Sequence, residues 1–402
     1  MKVIIFDLVP YAAELDHLKE GGKELPYPLS GKHFDPAVAA TTYEEHLEAW
    51  EELDRLGFDG VAFNEHHCSP YGLMNSPNLL AAAAIQRTKR IKLLIYGNLL
   101  PLHEPLRLAE ELAMLDCMSR GRIISGFARG IPREYQVHNV PMPDSRPRFE
   151  EAFEILLRAW GEEIFSYQGK FWQYKDVSIW PRPFQQPRPP IWMPVTGSKE
   201  SLEFAGRHNI PITPGVAATP LGLQEDAVRY YAQCLAAAGH RLTPDHLSVA
   251  SNVYLADSKE QAVRETGPHY LYFNRTLFSH GSFTDTDRQR AGGYVSQNSN
   301  DYVRPENMQA AARSRADFRD LTPEMVEQQA QRMPWGNADE VTTKLIERAD
   351  HLGANTLLVS LNRGVMPHAM FMNQIRRFAK EVLPALQAHE VQPSRALETV
   401  PA

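Results

Sequence analysis

Cysteine is scarce in this 402-residue chain, with Cys68, Cys117 and Cys234 as its three examples. Three cysteines cannot supply the paired framework of a disulfide-rich secreted protein, so the sequence predicts a reducing, cytoplasmic location. Long apolar runs are lacking too, since the longest mostly apolar stretch covers only residues 76–85. A membrane helix needs about 18 apolar residues, and the first residues lack the small-residue end of a signal peptide, so we expect neither kind of segment.

Positively charged residues are also fewer than negatively charged ones. The chain has 42 Lys and Arg against 49 Asp and Glu, which gives a net charge of −7 and a pI near 6.1. A nucleic-acid-binding protein needs a basic face that displaces counterions, so that class is excluded. With 43% hydrophobic and 23% charged residues, the chain is also not disordered, collagen-like or a coiled coil. The composition indicates a globular protein with a large core.

Short apolar runs alternate with longer amphipathic segments along the chain. The predicted strands are residues 3–9, 58–63, 91–96, 123–127, 190–195, 210–213, 247–255 and 356–361. The predicted helices are residues 41–56, 77–87, 105–118, 149–160, 199–208, 224–238, 338–352 and 368–386. Eight strand–helix steps predict an α/β protein with a single (β/α)8 TIM barrel over residues 1–390, followed by a flexible C-terminal tail, residues 391–402.

Three long insertions break this alternation, after strands 1, 4 and 7. They cover residues 11–40, 161–189 and 266–323, and the second has the aromatic pattern of a small β-hairpin. Connections that follow barrel strands lie at the C-terminal face, where active sites are built. The first and third are therefore predicted to form walls or a lid, with decoration unrelated to function as the alternative.

The densest cluster of titratable residues follows the second strand, at Glu65, His66, His67 and Cys68. These residue types can bind zinc, but adjacent side chains leaving a strand point to opposite sides, so we predict no metal site. A histidine held by a neighbouring carboxylate is suited to acid–base chemistry, which favours His66 as a catalytic residue. His67 is equally compatible with a structural role at the barrel rim.

Glycines mark the ends of the third and fourth strands. Gly97 would let a flat ring system approach the third strand, and Gly126 and Gly130 would do the same for the fourth. Arg129 lies between the last two and offers a fixed fork for phosphate or carboxylate. Ordinary turns with a surface arginine explain these glycines as well.

The fifth strand is followed by Thr196, Gly197, Ser198 and Ser201, where a helix begins. Hydroxyl residues at a helix start are first of all N-cap residues. Backbone N–H groups and hydroxyls at such a start also bind anions. Together with Arg129, this segment suggests a cofactor that carries a phosphate.

Several separated motifs resemble the luciferase-like flavin monooxygenases, the superfamily of bacterial luciferase. Within residues 63–130 these are the sequence EHH, the prolines at 101 and 105, the helix end at 115–119 and the Gly-Arg pair at 121–122. Residues 195–198 with Ser201 resemble the family's phosphate segment, and residues 336–341 the start of its last long helix. The resemblance covers most of the chain except residues 11–40 and 266–323.

The resemblance implies a barrel that binds reduced FMN (FMNH2) from a separate NAD(P)H:flavin reductase. With O2 as co-substrate, such an enzyme oxygenates a small organic substrate through a C4a-(hydro)peroxyflavin. A homodimer is common in this family. Carried over by position, the catalytic residues are His66 and its neighbouring acid Glu65. The cofactor-binding residues are Gly97 and Asn98 under the ring, often a strained or cis peptide, and Arg129, Gly197, Ser198 and Ser201 around the phosphate.

Ala128 stands where bacterial luciferase has a reactive cysteine, which puts light emission from long aldehydes in doubt but not flavin chemistry. An F420-dependent oxidoreductase on the same barrel stays open, because its acidic cofactor needs several basic residues. The candidates are Arg129, Arg133, Arg146 and Arg148. A non-catalytic flavin-binding protein is the third alternative. The aromatic residues at 270–273 suggest an apolar or ring-containing substrate, although core packing explains them equally well.

Overall fold

A parallel β-sheet, nearly closed into a barrel, forms the centre of the molecule. The structure is a computed structural model that describes residues 1–19, 21, 24–195, 197–281, 292–294, 296, 298–313, 318–392 and 394. The barrel strands are β1 (Lys2–Phe6), β2 (Gly60–Phe63), β3 (Lys92–Leu99), β4 (Ile123–Ala128), β7 (Ile191–Val195), β8 (Ile212–Pro214), β9 (Ser248–Asn252) and β12 (Thr356–Ser360). The remaining strands are β5 (Phe165–Gln168), β6 (Gln173–Val177), β10 (Tyr254–Leu255) and β11 (Trp335–Gly336).

The barrel strands run in the order β8-β7-β4-β3-β2-β1-β12-β9, and every pair is parallel. A parallel bridge between Ile212 and Leu247 brings the two edge strands together. This arrangement confirms the predicted barrel. It also places all the strand ends that carry candidate residues on one face.

Helices cover the outside of the sheet. They are α1 (Pro36–Leu56), α2 (Pro77–Arg87), α3 (Pro105–Ser119), α4 (Pro132–Val137), α5 (Ser145–Gly161), α6 (Lys199–Arg207), α7 (Leu221–Ala237), α8 (Lys259–Tyr272), α9 (Met308–Arg313), α10 (Pro323–Ala330), α11 (Ala338–Leu352), α12 (His368–Glu381) and α13 (Leu383–Ala388). The α1 helix begins five residues before its predicted start, because Asp35 caps the backbone N–H of Ala37 and Pro36 occupies the first turn. Within the described residues, no helix is long and apolar enough to cross a membrane.

The barrel interior is lined mainly by apolar side chains. Its buried residues are Ile4, Ala62, Leu94, Tyr96, Trp192 and Leu358. The Tyr96 hydroxyl bonds to Thr213, whose own hydroxyl lies 2.5 Å from that of Ser248, so three strands are tied together inside the barrel. The half-exposed Phe6, Ile124 and Ala250 pack against the interior cluster.

The insertions have more structure than the sequence indicates. The second one forms the predicted hairpin, β5 paired with β6. The prediction of an irregular segment from residue 266 is wrong, because α8 continues through Pro268 to Tyr272 and is followed by a π-helical segment, Phe273–Phe278. Burial of Tyr270, Tyr272 and Phe273 stabilises this helix despite the missing proline N–H. Leu8, just after β1, and Tyr11 and Leu15 of the first insertion pack in one cluster with Tyr71 and the π-helical segment.

Two other predicted elements are divided. The stretch 247–255 forms β9 and then β10, which leaves the barrel to pair with β11. The closing helix breaks between α12 and α13, where a proline occupies the first turn of α13. Most of the predicted tail, residues 391–402, lies outside the described residues, so its flexibility and the domain boundary at 390 stay predictions.

Candidate functional site

His66 lies at the barrel mouth, three residues beyond β2, with its ring one-fifth exposed. Its Nδ1 is 3.0 Å from Oε1 of Glu134, a buried residue of α4. The other carboxylate oxygen of Glu134 accepts the backbone N–H of Ile131 at 2.8 Å. The edge of the Tyr71 ring packs against the imidazole at a centroid distance of 4.8 Å. A buried carboxylate that is itself fixed by a backbone N–H holds His66 in one orientation.

The carboxylate beside His66 is therefore Glu134, and the expectation that Glu65 plays this part is wrong. Glu65 bonds instead to Nε2 of His67 and Nε2 of His103, both at 2.9 Å, and to the backbone N–H of Leu99. Burial raises its pKa, but the bonds to His103 and His67 outweigh burial and lower it to about 2. Successive side chains at a strand end point to opposite sides, which is why neighbours in sequence have different partners.

Glu65 thus links the ends of β2 and β3 at the rim. His67 takes part in this link and packs on His138, which favours its structural role. Burial lowers the pKa of His103, but its bond to Glu65 prevails and the net shift is upward. Among the described residues, no group of three His, Cys, Asp or Glu side chains is arranged to hold a metal ion.

Gly97 and Asn98 form an irregularity at the end of β3, where the register with β4 shifts. A Cβ on Gly97 would lie 2.8 Å from the backbone nitrogen of Glu65, so only glycine fits between β2 and β3. The side chain of Asn98 is buried and donates to Asn78 of α2, away from the barrel interior. The cis bonds among the described residues all precede proline, so the Gly97–Asn98 peptide is trans.

Gly126 lies within β4, and Gly130 follows Arg129 just beyond the end of that strand. A Cβ on Gly126 would lie 2.4 Å from the carbonyl oxygen of Ile95, so close strand packing accounts for this glycine. Gly130 lies outside the strand, and its carbonyl accepts the hydroxyl of Tyr294 from the third insertion.

An anion-binding arrangement lies at the start of α6, but its arginine is Arg146. The Nη2 of Arg146 donates to Ser201 Oγ at 2.8 Å and lies 3.5 Å from Ser198 Oγ. Ser198 also accepts the backbone N–H of Ser201 as the N-cap of the helix. The Nη1 of Arg146 is buried and has no hydrogen-bond partner among the described residues. Burial and the neighbouring charge of Arg129 lower the pKa of Arg146 to about 10.

Arg129, the arginine expected to meet Ser198 directly, lies beside Arg146. It donates to Ser145 Oγ at 3.2 Å and to the carbonyl of Tyr294 at 3.3 Å, and it stacks on the Tyr294 ring. Two adjacent guanidinium groups repel each other, which favours an anion between or beside them. Arg146 was one of the arginines noted after the fourth strand. Its local sequence gave no sign that it would pair with Ser201.

Helix phase lets Glu200 and Glu203 point away from this site, but Glu200 points toward it. Its Oε2 accepts the Ser198 hydroxyl at 2.8 Å, and its Oε1 accepts the Ser296 hydroxyl. Burial raises the pKa of Glu200, but bonds to Ser296 and to Ser198 outweigh burial and lower it. Glu203 does point outward, to the hydroxyl of Tyr230.

The third insertion contacts this arrangement. The carbonyl of Ser299 accepts the backbone N–H of Lys199 at 3.0 Å, and the hydroxyl of Tyr302 donates to the Gly197 carbonyl at 3.0 Å. Thr196, also predicted here, lies outside the described residues. The start of α6 is therefore enclosed by chain from a distant part of the sequence, as expected for the predicted lid.

The chain thus has the features of a TIM-barrel enzyme, with an imidazole and an anion-binding group at one barrel mouth. The profile of the family described as luciferase-like monooxygenase matches residues 27–356. The chain belongs to the luciferase-like monooxygenase family. This confirms the resemblance seen in its motifs.

Two curated relatives have characterised activities. Limonene 1,2-monooxygenase from Rhodococcus erythropolis is 30% identical over 252 residues, which are 62% of this chain and 65% of the relative. The oxygenase component of a flavin-dependent trigonelline monooxygenase from Acinetobacter baylyi is 29% identical over 248 residues, 60% of this chain and 67% of the relative. The aligned part thus spans about two thirds of the length of each.

Solved structures share the fold over nearly the whole chain. The monooxygenase RslO1 from Streptomyces bottropensis has a TM-score of 0.71 at 27% identity and covers 96% of this chain and 99% of its own. The oxygenating constituent of 3,6-diketocamphane monooxygenase from Pseudomonas putida, in complex with FMN, has a TM-score of 0.72 at 20% identity, covering 98% and 100%. The F420-dependent tetrahydromethanopterin reductase from Methanopyrus kandleri has a TM-score of 0.63 at 18% identity. It covers 96% of this chain and 99% of its own.

Proposed function

We propose that the protein is the oxygenase component of a two-component monooxygenase, which uses FMNH2 and O2 to oxygenate a small organic substrate. The observation that carries this proposal is the buried Nη1 of Arg146, which has no partner in the part of the chain that the structure describes. It lies beside two serine hydroxyls, on the same barrel face as His66. A buried guanidinium nitrogen without a partner is costly, and a phosphate oxygen would satisfy it. The trigonelline relative, named as an oxygenase component, supports the expectation of a partner flavin reductase.

The residues at the mouth fit FMN at both of its ends. Arg146, Ser198 and Ser201 would hold the phosphate, and Arg129 would add a second positive charge. The half-exposed interior residues Ile124 and Ala250 leave apolar surface for a flat ring. The Oδ1 of Asn252, at the end of β9, is buried without a partner among the residues described and would accept a ring N–H. When bound, reduced FMN would supply the electrons that activate O2.

His66 would handle protons beside the bound ring. With its Nδ1 directed to Glu134, the proton it gives or takes would be exchanged at Nε2. Glu134 would fix this tautomer, while Glu65 would keep the rim in place through His67 and His103. The first and third insertions would exclude water, which otherwise destroys reactive flavin species.

The alternative cofactor, F420, receives less support from the side chains. Of the four arginines considered for its acidic tail, Arg148 donates to the Pro101 carbonyl at 2.8 Å and lies over the rings of Phe171 and Trp172. Arg133 stacks on the Tyr27 ring at 3.7 Å. Only Arg129 and Arg146 come together, which suits one phosphate group better than a polyanionic tail. A flavin-binding protein without catalysis would not need His66 and Glu134 at the mouth.

The proposal is tested by anaerobic titration of the protein with FMNH2 and, in parallel, with reduced F420, followed by mixing with O2. We expect stoichiometric binding of FMNH2, weaker binding of F420, and oxidation of the bound flavin at a rate different from that of free FMNH2. Tighter binding of reduced F420, or no binding of FMNH2, would overturn the proposal.

A homodimer is the proposed assembly. Large apolar side chains of α2 and α3 are exposed, with Leu79 73% accessible and Met114 50% accessible, and Trp180 of the second insertion is 85% accessible. An apolar surface of this kind is typical of a protein–protein contact. Light scattering after gel filtration should give twice the 45.5 kDa chain mass, and a 45.5 kDa particle would contradict the dimer.

A further inference from the structure

Arg363 lies three residues beyond β12, and its Nε is buried without a hydrogen-bond partner among the described residues. Its guanidinium lies over the ring of Phe273, 5.2 Å from the ring centroid. Burial lowers its pKa, while Tyr270, Tyr71 and Asp7 act in the opposite direction. A buried charged group seldom lacks a hydrogen-bonding partner unless a ligand binds to it.

The described groups around Arg363 do not bond to its guanidinium directly. Asp7 is occupied by His46, Trp50 and the backbone N–H of Val9. Burial raises the pKa of Tyr71 to about 12, so its hydroxyl is uncharged at neutral pH. The positive charge of Arg363 is therefore available to a ligand.

Arg363 and His66 lie on the same side of the barrel mouth. They follow β12 and β2, which both pair with β1, so the two strand ends are roughly 10 Å apart. Tyr71 and Phe273 form a wall between them, since the Tyr71 ring lies 4.8 Å from the imidazole and 5.6 Å from the Phe273 ring. A molecule of one or two rings would span this distance.

The phosphate-binding group is elsewhere. Arg146, Ser198 and Ser201 cluster after β7, which is separated from β12 by β8 and β9 in one direction and by four strands in the other. Arg363 therefore lies apart from the proposed phosphate site, which leaves it for a second ligand.

We propose that Arg363 binds the carboxylate of a ring-containing organic acid, the substrate, whose ring packs against Tyr71 and Phe273 with its other end toward His66. This rests on the proposed function, since it assigns the substrate class of that site. A guanidinium fork matches a planar carboxylate with two parallel hydrogen bonds, and the aromatic wall supplies apolar contact for the ring.

The test measures binding of benzoate and of its neutral analogue benzamide to the FMN-loaded protein by calorimetry. We expect benzoate to bind roughly tenfold or more tighter than benzamide. Arg363→Met should abolish this preference, and Arg363→Lys should reduce it, because lysine keeps the charge but lacks the fork. Arg348→Met is the matched control, since Arg348 of α11 also has a buried unpartnered Nε but lies against α7.

Equal binding of benzoate and benzamide, absence of benzoate binding, or a preference that survives in Arg363→Met would each overturn the inference. Benzenesulfonate is a further probe: if it binds in an Arg363-dependent way and benzoate does not, the carboxylate assignment is wrong. The affinity for FMNH2, measured anaerobically on the same variants, separates the two proposals. Failure of FMNH2 binding refutes the proposed function, whereas retained FMNH2 binding without a benzoate preference refutes only the role of Arg363.

Discussion

Arg146 donates from Nη2 to the hydroxyl of Ser201 at 2.8 Å, while its Nη1 is buried and meets no hydrogen-bond partner within the described ranges. One side of the guanidinium is thus anchored to the start of α6, and the other is left for an anion. This relationship, which no local sequence pattern revealed, defines the proposed cofactor site.

Arg146→Ala should weaken FMN binding while leaving riboflavin binding nearly unchanged, because riboflavin lacks the phosphate. Loss of charged hydrogen bonds of about 1.5–3 kcal/mol predicts a decrease in FMN affinity of roughly 10- to 150-fold. Fluorescence titration of both flavins measures this. Arg148→Ala, two residues along α5, is the control and should keep the FMN preference. If Arg146→Ala weakened both flavins equally, a phosphate contact would be ruled out.

His66→Ala should lower the turnover number by roughly 10²- to 10⁴-fold, the usual contribution of a general acid or base, with FMN affinity retained. Glu134→Gln keeps the size of the side chain but loses the charge that orients the imidazole, so its loss should be smaller. Product formation in a reductase-coupled assay is the readout. Unchanged turnover in His66→Ala would show that another residue manages the proton.

Glu65→Gln should destabilise the fold at neutral pH. The pKa of Glu65 is lowered from 4.5 to about 2 in the folded state, so its charge contributes stability above pH 4.5 that is lost as pH falls toward 2. The shift corresponds to about 3 kcal/mol. Denaturant unfolding at pH 7 and at pH 3 should show a smaller difference between wild type and variant at pH 3.

Glu52→Gln is the matched control for that experiment. The pKa of Glu52 is also lowered to about 2, by Arg55 and Arg376, but both arginines are more than half exposed. Exposed pairs contribute about 0–1 kcal/mol, so this variant should be nearly as stable as wild type. Equal losses for Glu52→Gln and Glu65→Gln would contradict the role given to burial.

Gly126→Ala should be destabilising by about 1–3 kcal/mol, since the new methyl group would lie 2.4 Å from the Ile95 carbonyl oxygen and β4 would have to shift. Gly161→Ala at the end of α5 meets no atom within 4 Å and should be neutral or slightly stabilising. Thermal unfolding compares the two. A neutral Gly126→Ala would mean that β3 and β4 can separate without cost.

The barrel was predictable because its signals are local. Each strand is a short apolar run, and each helix has its own periodicity and caps, so α2 and α11 agree with the prediction residue for residue. The α8 helix was not predicted, and burial of Tyr270 and Tyr272 stabilises it despite Pro268. Burial of that kind depends on chain that is distant in sequence.

The candidate site was predicted less completely, for the same reason. The sequence placed His66 and Ser198 at strand ends of one face, but which carboxylate meets His66 and which arginine meets Ser201 depend on α4 and α5. Glu134 and Arg146 carry no local motif. The cytoplasmic location and the roles of the individual site residues stay predictions from the sequence.

The most direct test of the central claim is a crystal structure of the protein with FMN bound. Two distances decide it, from the phosphate oxygens to Arg146 Nη1 and from the flavin ring to the His66 imidazole. We expect a phosphate oxygen within hydrogen-bond distance of Nη1 and the imidazole facing the ring from the other end of the cofactor. A phosphate bound away from α6, or a ring out of reach of His66, would contradict the account.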